Sequence, residues 1–481
     1  MQNGDSAMPG ADVRKLLVEN RVRDIGHLTG KECVVLLDSA TVEGALKVLS
    51  DYRILSAPVV APGEGDGGGR SPAQHAAYWP AQLPGSDIMG FMCVNDVLMS
   101  FLDGEDWAAY ASEFGDAAFL EPVAGPEGGL VRRVSTAGGG GSMLGRMRRL
   151  EALGARFAQT ALRDLTCKGC DGDFLHSRHA GEATLLELIM YGFLDPKRRG
   201  MHEGENQSRV VHRVALFDSS GTITSVISQS DLCRFLSQHV AELGPLALRT
   251  MSDLGWDCKP VVSCTPETPA LDAMRAMVAA GVSSLAVVTP HAHHGDGHPA
   301  AGQPGQAAAG QAAGQAAPGG KGGRLLGNFS ASEMRTMTAE HFGALSLPVG
   351  EFLALEHDTE WVAANRERME EEGVLGSAAH AFIQDRLRRG RPHAPGEELG
   401  QRLIVATPGT SLAEVIHLLV RHRIHRVYVV DEHEIPRGIV TCTDILRAVV
   451  EAATQAAPPS PPNSATAVAA EAAAAGKNGS V

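Results

Sequence analysis

Two His-Arg dipeptides are the residues of this chain best suited to hold an anion. His212-Arg213 and His425-Arg426 each stand directly before a short apolar run, VALF and VYVV, that predicts a strand. A guanidinium supplies a planar fork of donors that stays charged at physiological pH, and an imidazole adds a donor that titrates near neutrality. Two pairs at equivalent positions favour anion binding. The alternative is that these side chains only extend from a strand edge or pack in the core.

A second pattern, Ser/Thr-x-x-Asp, follows each pair and precedes an apolar helix. Its two complete copies are Ser228 with Asp231 and Thr441 with Asp444. The spacing is that of an ordinary helix cap. A carboxylate in this place can also accept two hydrogen bonds from a vicinal diol, while the amides of a helix N-terminus favour phosphate. Spacing alone leaves the structural and the ligand-binding interpretations open.

Two further copies of this pattern are incomplete. Asp96 keeps the carboxylate, but Cys93 stands in the place of the Ser or Thr, and Glu333 replaces the aspartate expected after Ser330. The additional methylene of a glutamate displaces its carboxylate by roughly 1.5 Å, the length of one C–C bond. We therefore expect the glutamate to close the site in its copy.

All of these residues lie in four copies of one sequence pattern. Each copy begins with a capping Ser or Thr, continues with apolar residues at helical spacing and closes with a short strand, after which a second half reads strand, turn and helix. The first halves are 41–60, 184–217, 268–288 and 410–430, and the second halves are 88–102, 222–236, 325–333 and 437–450. Each unit is therefore helix–strand–strand–helix after a short leading strand. Its uncovered sheet face predicts that the units dock in pairs.

Capping residues predict where the first helices of these copies begin. Thr184 with Glu187 and Ser411 with Glu414 have the spacing of capping boxes. Thr268 directly precedes a proline, a residue suited to the first position of a helix, and is therefore predicted to be the cap of the third copy.

The repeats and the low-complexity stretches between them define the domain boundaries. Residues 61–86, 121–142, 291–323 and 455–481 are rich in Gly, Ala, Pro and Gln, which predicts disordered filler. The predicted segments are an N-terminal segment (1–19), repeat 1 with a loop insertion at 61–86 (20–103), a partly helical linker (104–160), repeat 2 (161–242), repeat 3 with a low-complexity insertion at 291–323 (245–342), repeat 4 with its preceding linker (343–452) and a disordered tail (453–481).

Composition excludes several classes of protein. A net charge of −14 argues against a nucleic-acid-binding surface. No apolar run is long enough to span a membrane, and no secretory signal is predicted. The eight cysteines are dispersed, as is typical of a reduced compartment, so we expect a cytoplasmic or nuclear location. No known catalytic motif is present in a suitable context, so no enzymatic activity is predicted.

One cluster of residues has spacing that would permit a zinc site. Cys167 and Cys170 precede His176 and His179. The segment FLH, however, is predicted to be the leading strand of repeat 2, which would turn alternate side chains away from each other. We therefore expect no metal.

The four copies resemble CBS (cystathionine-β-synthase) domains, which pair into Bateman modules. The segment VVHRVALFDSSGTITSVISQSDLCRFL resembles the second repeat of the γ subunits of AMP-activated protein kinase and of their yeast and plant counterparts, and HRIHRVYVVDEHEIPRGIVTCTDILRAVV resembles the last. The resemblance implies an α/β fold of four β-α-β-β-α repeats, paired into modules at 20–242 and 245–452 that form a disc with clefts at its centre.

The resemblance also implies which residues bind a ligand. In that family the aspartate of the motif takes the ribose hydroxyls, the Ser or Thr contacts phosphate, and His-Arg pairs hold nucleotide phosphates. Ser283, which matches a serine of the third repeat, is a further phosphate or ribose contact. The implied nucleotide-binding residues are Asp96, His212, Arg213, Ser228, Asp231, Ser283, His425, Arg426, Thr441 and Asp444.

The implied function is an adenine-nucleotide sensor that binds AMP, ADP or ATP for the catalytic and scaffold subunits of a protein kinase. Animal γ subunits have an arginine where this chain has Leu55, so fewer than four sites, one or two, are expected to be occupied. The alternatives are an interaction scaffold whose sites have decayed and a CBS regulator of a different enzyme or transporter. An adenosylmethionine-type ligand prefers an apolar methionyl pocket, so the His-Arg pairs disfavour it.

Overall fold

The computed structural model is an α/β protein with small sheets, as predicted. It describes residues 11–25, 34–61, 77–78, 87–104, 118–124, 130–136, 143–165, 172–175, 182–194, 211–217, 223–290, 323–353 and 403–455.

The described strands and helices alternate along the chain. The strands are β1 (Val34–Leu37), β2 (Ser56–Ala61), β3 (Ala77–Tyr78), β4 (Asp87–Cys93), β5 (Ala118–Ala124), β6 (Leu130–Thr136), β7 (Gly172–Leu175), β8 (Arg213–Phe217), β9 (Ile223–Ser228), β10 (Ser263–Cys264), β11 (Ser284–Val288), β12 (Leu325–Ser330), β13 (Val405–Ala406), β14 (Arg426–Val430) and β15 (Pro436–Thr441). The α-helices are α1 (Ala11–Glu19), α2 (Val42–Asp51), α3 (Val94–Asp103), α4 (Met143–Phe157), α5 (Leu185–Glu187), α6 (Gln229–Gln238), α7 (Pro245–Leu248), α8 (Ala270–Ala280), α9 (Val349–Leu353), α10 (Leu412–His422) and α11 (Cys442–Gln455). A π-helix, Leu188–Leu194, continues α5.

Each repeat is built on the same three-strand unit. A leading strand pairs in parallel with the strand that follows the first helix, and that strand pairs antiparallel with the next one. A parallel pair needs a crossover, which the first helix of each repeat supplies. The strand orders are β3-β1-β2-β4, β7-β8-β9, β12-β11-β10-β6-β5 and β13-β14-β15. The predicted repeat unit is therefore confirmed.

One backbone hydrogen bond recurs in all four repeats and confirms their alignment. The residue before the second strand accepts a hydrogen bond from the first residue after the third strand. The four bonds are Val94 N to Leu55 O at 3.1 Å, Gln229 N to His212 O at 3.1 Å, Ala331 N to Ser283 O at 3.3 Å and Cys442 N to His425 O at 3.2 Å. The positions that the sequence aligns as equivalent are thus equivalent in the backbone.

The predicted capping boxes begin α5 and α10. In each, the Ser or Thr oxygen accepts a hydrogen bond from the backbone N–H of the glutamate, which lies three residues on. The predicted cap at Thr268 is wrong by one position, because Pro269 is extended (φ −57°, ψ 137°) and itself precedes the first helical residue. The Thr268 hydroxyl instead accepts a hydrogen bond from Thr265 N at 3.1 Å.

Parts of the predicted filler form strands. Within 121–142, β6 pairs antiparallel with β5 and in parallel with β10 of repeat 3. Within 61–86, β3 pairs with β1. The reason is that short segments such as AFLEPVA and LVRRVST contain enough apolar and β-branched residues to pair, despite the glycines and prolines around them. The partly helical character of the linker 104–160 is confirmed by α4.

The second half of repeat 3 also differs from its prediction. A 3₁₀ helix, Ala331–Thr336, replaces the expected apolar α-helix, and its N-terminus has no side-chain cap. The Ser330 hydroxyl lies 2.5 Å from the Ser332 hydroxyl. It is therefore occupied by a neighbour in place of capping the helix as its counterparts do.

The repeats pair by exchanging the segments that lead into them. Isolated bridges join the segment before one repeat to the first helix of the other, and they are Arg21 with Thr184, Ala161 with Thr41, Thr250 with Ser411 and Pro348 with Pro269. Repeats 1 and 2 exchange with each other, as do repeats 3 and 4, and we call these the first and the second module. Residues 11–25, which include the start of the segment assigned to repeat 1, pack on repeats 2 and 4.

Two apolar cores join the modules. One core combines buried residues of repeats 1 and 3 with α4, and the other combines repeats 2 and 4 with α1. Within the second module, the sheets of repeats 3 and 4 also pack together, with a hydrogen bond of 3.0 Å from Tyr428 Oη to Asn328 Oδ1. These contacts join the four repeats to one another, and the disc shape stays a prediction.

Close contact between α4 and the 3₁₀ helix Ala339–Ser346 ties the segment before repeat 2 to the segment before repeat 4. Gly154 allows this approach, because a methyl group there would overlap Phe342. We expect Gly154→Ala to lower the free energy of unfolding by about 1–2 kcal/mol, since overpacking costs more than the gain of about 1 kcal/mol in helix propensity. Urea unfolding followed by circular dichroism measures this change.

The matched control for this substitution is Gly409→Ala. Gly409 is exposed, and an added methyl group would meet no atom within 4 Å. The control should unfold like the wild type. A Gly154→Ala protein as stable as the wild type would contradict the described contact.

Candidate functional site

Strand pairing places each His-Arg pair beside a Ser/Thr-x-x-Asp motif. Arg213 is the first residue of β8 and lies opposite Ser228, the last residue of β9. Arg426 and Thr441 have the same relation in β14 and β15. Cross-strand neighbours lie within reach of each other's side chains. Each of these two repeats therefore presents a guanidinium, a hydroxyl and a helix N-terminus at one edge of its sheet.

The two His-Arg pairs converge with a third arginine. Burial, as the largest cause, and nearby basic groups together lower the pKa of His425 from its ordinary 6.5 to about 4. Those cations are Arg213, Arg426, His212 and Arg335. Three guanidinium groups and two imidazoles, which we call the cation cluster, thus act on one another across repeats 2, 3 and 4.

The basic groups of the cation cluster act on a side chain that reaches the surface. The His425 residue is exposed to water, yet loss of hydration is the largest cause of its lowered pKa. Like charges repel one another at this range, and an anion placed among them would be attracted by all of them.

Hydrogen bonds fix the cluster between repeats. Arg213 Nη1 donates to Ser56 Oγ of repeat 1 at 2.6 Å, and this serine is only 4% exposed. Thr443 Oγ1 of α11 donates to Gln229 Oε1 of α6 at 2.9 Å. The arginine is therefore held by the other repeat of its own module, and the helix that follows it is joined to the second module.

Arg335 is a member of the cluster that the sequence patterns missed. It lies in the 3₁₀ helix of repeat 3, two residues after Glu333. Burial lowers the pKa of Arg335, the neighbouring Glu333 raises it, and Arg53 of repeat 1 lowers it. No spacing rule singles out this arginine, because its partners come from other repeats.

The carboxylates of the two complete motifs serve first as helix caps. Asp231 Oδ2 accepts hydrogen bonds from the Ser228 backbone N–H at 3.0 Å and from its hydroxyl at 2.7 Å. Asp444 Oδ2 accepts from the Thr441 backbone N–H and hydroxyl, both at 2.8 Å. The capping interpretation is thus confirmed, and the other carboxylate oxygen, Oδ1, points elsewhere in each case.

The Oδ1 atoms of these two aspartates face different cations. Asp231 Oδ1 lies 3.5 Å from Nη1 of Arg234, which is on its own helix. Asp444 Oδ1 lies 2.5 Å from Nζ of Lys259, which belongs to the segment leading into repeat 3. The two sites are therefore equivalent in backbone but differ in the type of cation beside the aspartate, in its distance and in the segment that supplies it.

Two further predicted site residues are Asp96 and Ser283. Asp96 is fully buried, and its Oδ2 accepts a hydrogen bond of 2.7 Å from Cys93 N, so the incomplete motif still forms a capping box. Ser283 is exposed just before β11. Both remain predictions as ligand contacts. The buried carboxylate of Asp96 is out of reach of a ligand in this conformation.

Within the described residues, His, Cys, Asp and Glu side chains form no group of three or more that could hold a metal ion. The permissive Cys and His residues at 167, 170, 176 and 179 lie outside that part of the chain. No helix in the described ranges has the length and apolar character needed to cross a bilayer.

Comparison with known proteins identifies the repeats. A model of the CBS domain family matches residues 252–299 and 399–451, which lie in the third and fourth repeats. The SNF1-related protein kinase regulatory subunit gamma-like PV42b of Arabidopsis thaliana is 24% identical over 278 residues, or 55% of this chain and 65% of the relative. The chain thus spans about two thirds, 65%, of the length of this curated relative.

Two solved structures illustrate the similarity in fold. MJ1225 of Methanocaldococcus jannaschii, a proposed archaeal homolog of g-AMPK, has 14% identity and a TM-score of 0.44 over 89% of this chain and 99% of its own. The CBS domain pair of protein MJ0100, solved with 5-methylthioadenosine and S-adenosyl-L-methionine, has 14% identity and a TM-score of 0.21 over 42% of this chain and 94% of its own.

The chain's own sheets, exchanged segments and family matches agree on the type of domain. Its third and fourth repeats match the CBS family directly, and its first and second repeats have the same strand order and the same recurring backbone hydrogen bond. The chain therefore contains CBS domains in its third and fourth repeats, has its repeats in pairs, and is similar to a γ-like regulatory subunit of an SNF1-related kinase.

Proposed function

We propose that this chain is a regulatory subunit that binds AMP, ADP or ATP and reports the occupied state to a protein kinase of the SNF1-related type. It carries no catalysis of its own in this proposal and acts in the cytoplasm, the nucleus or both. The observation that carries the proposal is the cation cluster, in which His425 is surrounded by cations from three repeats.

The cluster supports a phosphate-bearing ligand. Three guanidinium groups held close together in a cleft repel one another unless an anion joins them, and guanidinium forks match phosphate oxygens. Arg426 lies opposite Thr441, whose side chain contacts Asp444, so a phosphate and a ribose could be held side by side. Repeats 2 and 4 alone have this full set, which supports one or two occupied sites.

The proposed regulation depends on which module contributes each member of the cation cluster. Arg213 and His212 come from the first module, and Arg335, His425 and Arg426 from the second. An anion that neutralises them favours the arrangement in which the two modules lie close together. A ligand that binds one arrangement better shifts the population towards it, which a docked partner can detect.

A kinase partner is supported by the similarity to the plant γ-like subunit alone. Affinity purification of the tagged full chain from its native cells should recover the catalytic and scaffold subunits of a kinase. If a transporter or a metabolic enzyme is recovered in their place, the kinase part of the proposal fails while nucleotide binding stands.

Arg426→Gln tests the nucleotide site. Removing one charge-assisted contact to phosphate costs about 1.5–3 kcal/mol, so AMP affinity should fall about 10- to 100-fold. Isothermal titration calorimetry of AMP and ATP against the wild type and the variant measures the change.

The matched control is Arg421→Gln, which removes an exposed arginine of α10 in the same repeat. Its AMP affinity should equal that of the wild type. Absence of heat from the wild type at millimolar nucleotide, together with retained kinase binding, would select the scaffold alternative.

The pH dependence of stability tests the charge environment of His425. Its pKa is about 4 in the folded protein and near 6.5 in the unfolded chain, so between these values the unfolded chain binds a proton that the folded protein does not. Stability should therefore fall as pH falls from 6.5 to 4, with the loss absent above this window. His425→Gln should flatten this part of the profile, as measured by urea unfolding at several pH values.

His433→Gln is the control for this measurement, since the His433 side chain is 71% exposed. It should leave the slope unchanged. Added AMP should reduce the acid sensitivity of the wild type, because a bound phosphate favours the protonated imidazole. Equal slopes in the wild type and His425→Gln would contradict the described cluster.

A further inference from the structure

Lys259 occupies the predicted ribose site of repeat 4. It directly follows the 3₁₀ helix Trp256–Cys258 in the segment that leads into repeat 3. This 3₁₀ helix packs on β15 of repeat 4. Its Nζ lies 2.5 Å from Asp444 Oδ1 and 5.1 Å from the centre of the Trp256 ring. The lysine and aspartate side chains are 30% and 14% exposed, so this pair is more enclosed than an ordinary surface ion pair.

Both carboxylate oxygens of Asp444 are consequently in use. Oδ2 accepts the two capping hydrogen bonds from Thr441, and Oδ1 accepts from the ammonium of Lys259. A vicinal diol needs oxygen lone pairs of the same carboxylate. It can obtain them at Oδ1 only if the ammonium withdraws.

The equivalent aspartate of repeat 2 has a different cationic neighbour. Its cationic neighbour, Arg234, is 41% exposed, lies at the longer distance of 3.5 Å and belongs to the same helix as Asp231. A longer, more hydrated contact is more easily exchanged. The two clefts should therefore differ in the ligands that they accept.

We propose that Lys259 determines specificity at the repeat 4 cleft by releasing Asp444 only to a ligand that brings its own anion. This inference rests on the proposed function. A neutral nucleoside would have to separate the lysine from its carboxylate with no replacement charge, which is unfavourable where exposure is low. A nucleoside phosphate supplies that charge, and the cations beside Thr441 already draw phosphate to within reach of the flexible lysine stem.

Trp256 can report whether Lys259 leaves Asp444. The Trp256 ring lies against the ammonium of Lys259, so movement of the lysine changes the surroundings of the indole. The chain has four tryptophans, and replacing Trp79, Trp107 and Trp361 by Phe leaves Trp256 as the sole fluorophore. Titration of this otherwise complete protein with adenosine and with AMP then reports on the repeat 4 cleft.

Lys259→Met should change the preference between these two probes. The methionine keeps an apolar contact with Trp256 but frees Asp444, so adenosine should bind about tenfold more tightly. AMP loses one cation and gains the carboxylate, so its affinity should change less. The ratio of AMP to adenosine affinity should therefore fall about tenfold. Lys259→Arg keeps the charge and should keep the ratio.

Lys47→Met is the matched control, since Lys47 forms an ion pair on the surface of α2 with 73% of its side chain exposed. It should retain the wild-type ratio, and thermal melting should show that all variants fold. An unchanged ratio in Lys259→Met would overturn the inference while AMP binding by the wild type preserved the proposed function. Gain of adenosine binding by Lys259→Met when the wild type binds no AMP would support the inference and refute nucleotide sensing. If neither adenosine nor AMP binds to any of these proteins, both the inference and the proposed function are overturned.

Discussion

Packing of helices between the two modules is the constraint on which the centre of the molecule depends. Repeat 1 buries apolar side chains against repeat 3, and repeat 2 does so against repeat 4. Each fully buried Leu or Ile contributes about 1.5–3 kcal/mol, so a few such residues outweigh the repulsion among guanidiniums that remain partly hydrated. The cations therefore converge because the helices behind them must pack. They are not drawn together by attraction for one another.

This division of roles explains why the centre can be responsive while the frame is stable. The helix caps at Ser228 and Thr441 use one oxygen of each following aspartate and so belong to the frame. The other carboxylate oxygen, Oδ1, and the guanidiniums of the cation cluster are positioned by that frame but take no part in the helix caps. Local conflict between stability and charge is expected at functional sites, where selection acts on binding.

Local features of this protein could be read from its residues, whereas contacts between repeats could not. The order of helices and strands, the capping boxes at Thr184 and Ser411 and the equivalence of the His-Arg positions all depend on neighbours within one repeat. The structure agrees with each of them. Arg335 and Lys259 were missed because each acquires its role from another repeat, across an exchanged segment or at the central cleft. The hairpin of β5 and β6 was missed because its short apolar segments stand among stretches rich in glycine and proline.

The contact between the first and last described helices has a consequence for how the chain reaches this structure. α1 packs on α11, with Arg14 Nη1 donating to Ala453 O at 3.4 Å. Elements that are far apart in the chain thus become neighbours, and a loop of several hundred residues must close before α1 meets α11. During synthesis α1 can pack on repeat 2 once that repeat has been made, but the part of its apolar face that contacts α11 must wait for the fourth repeat.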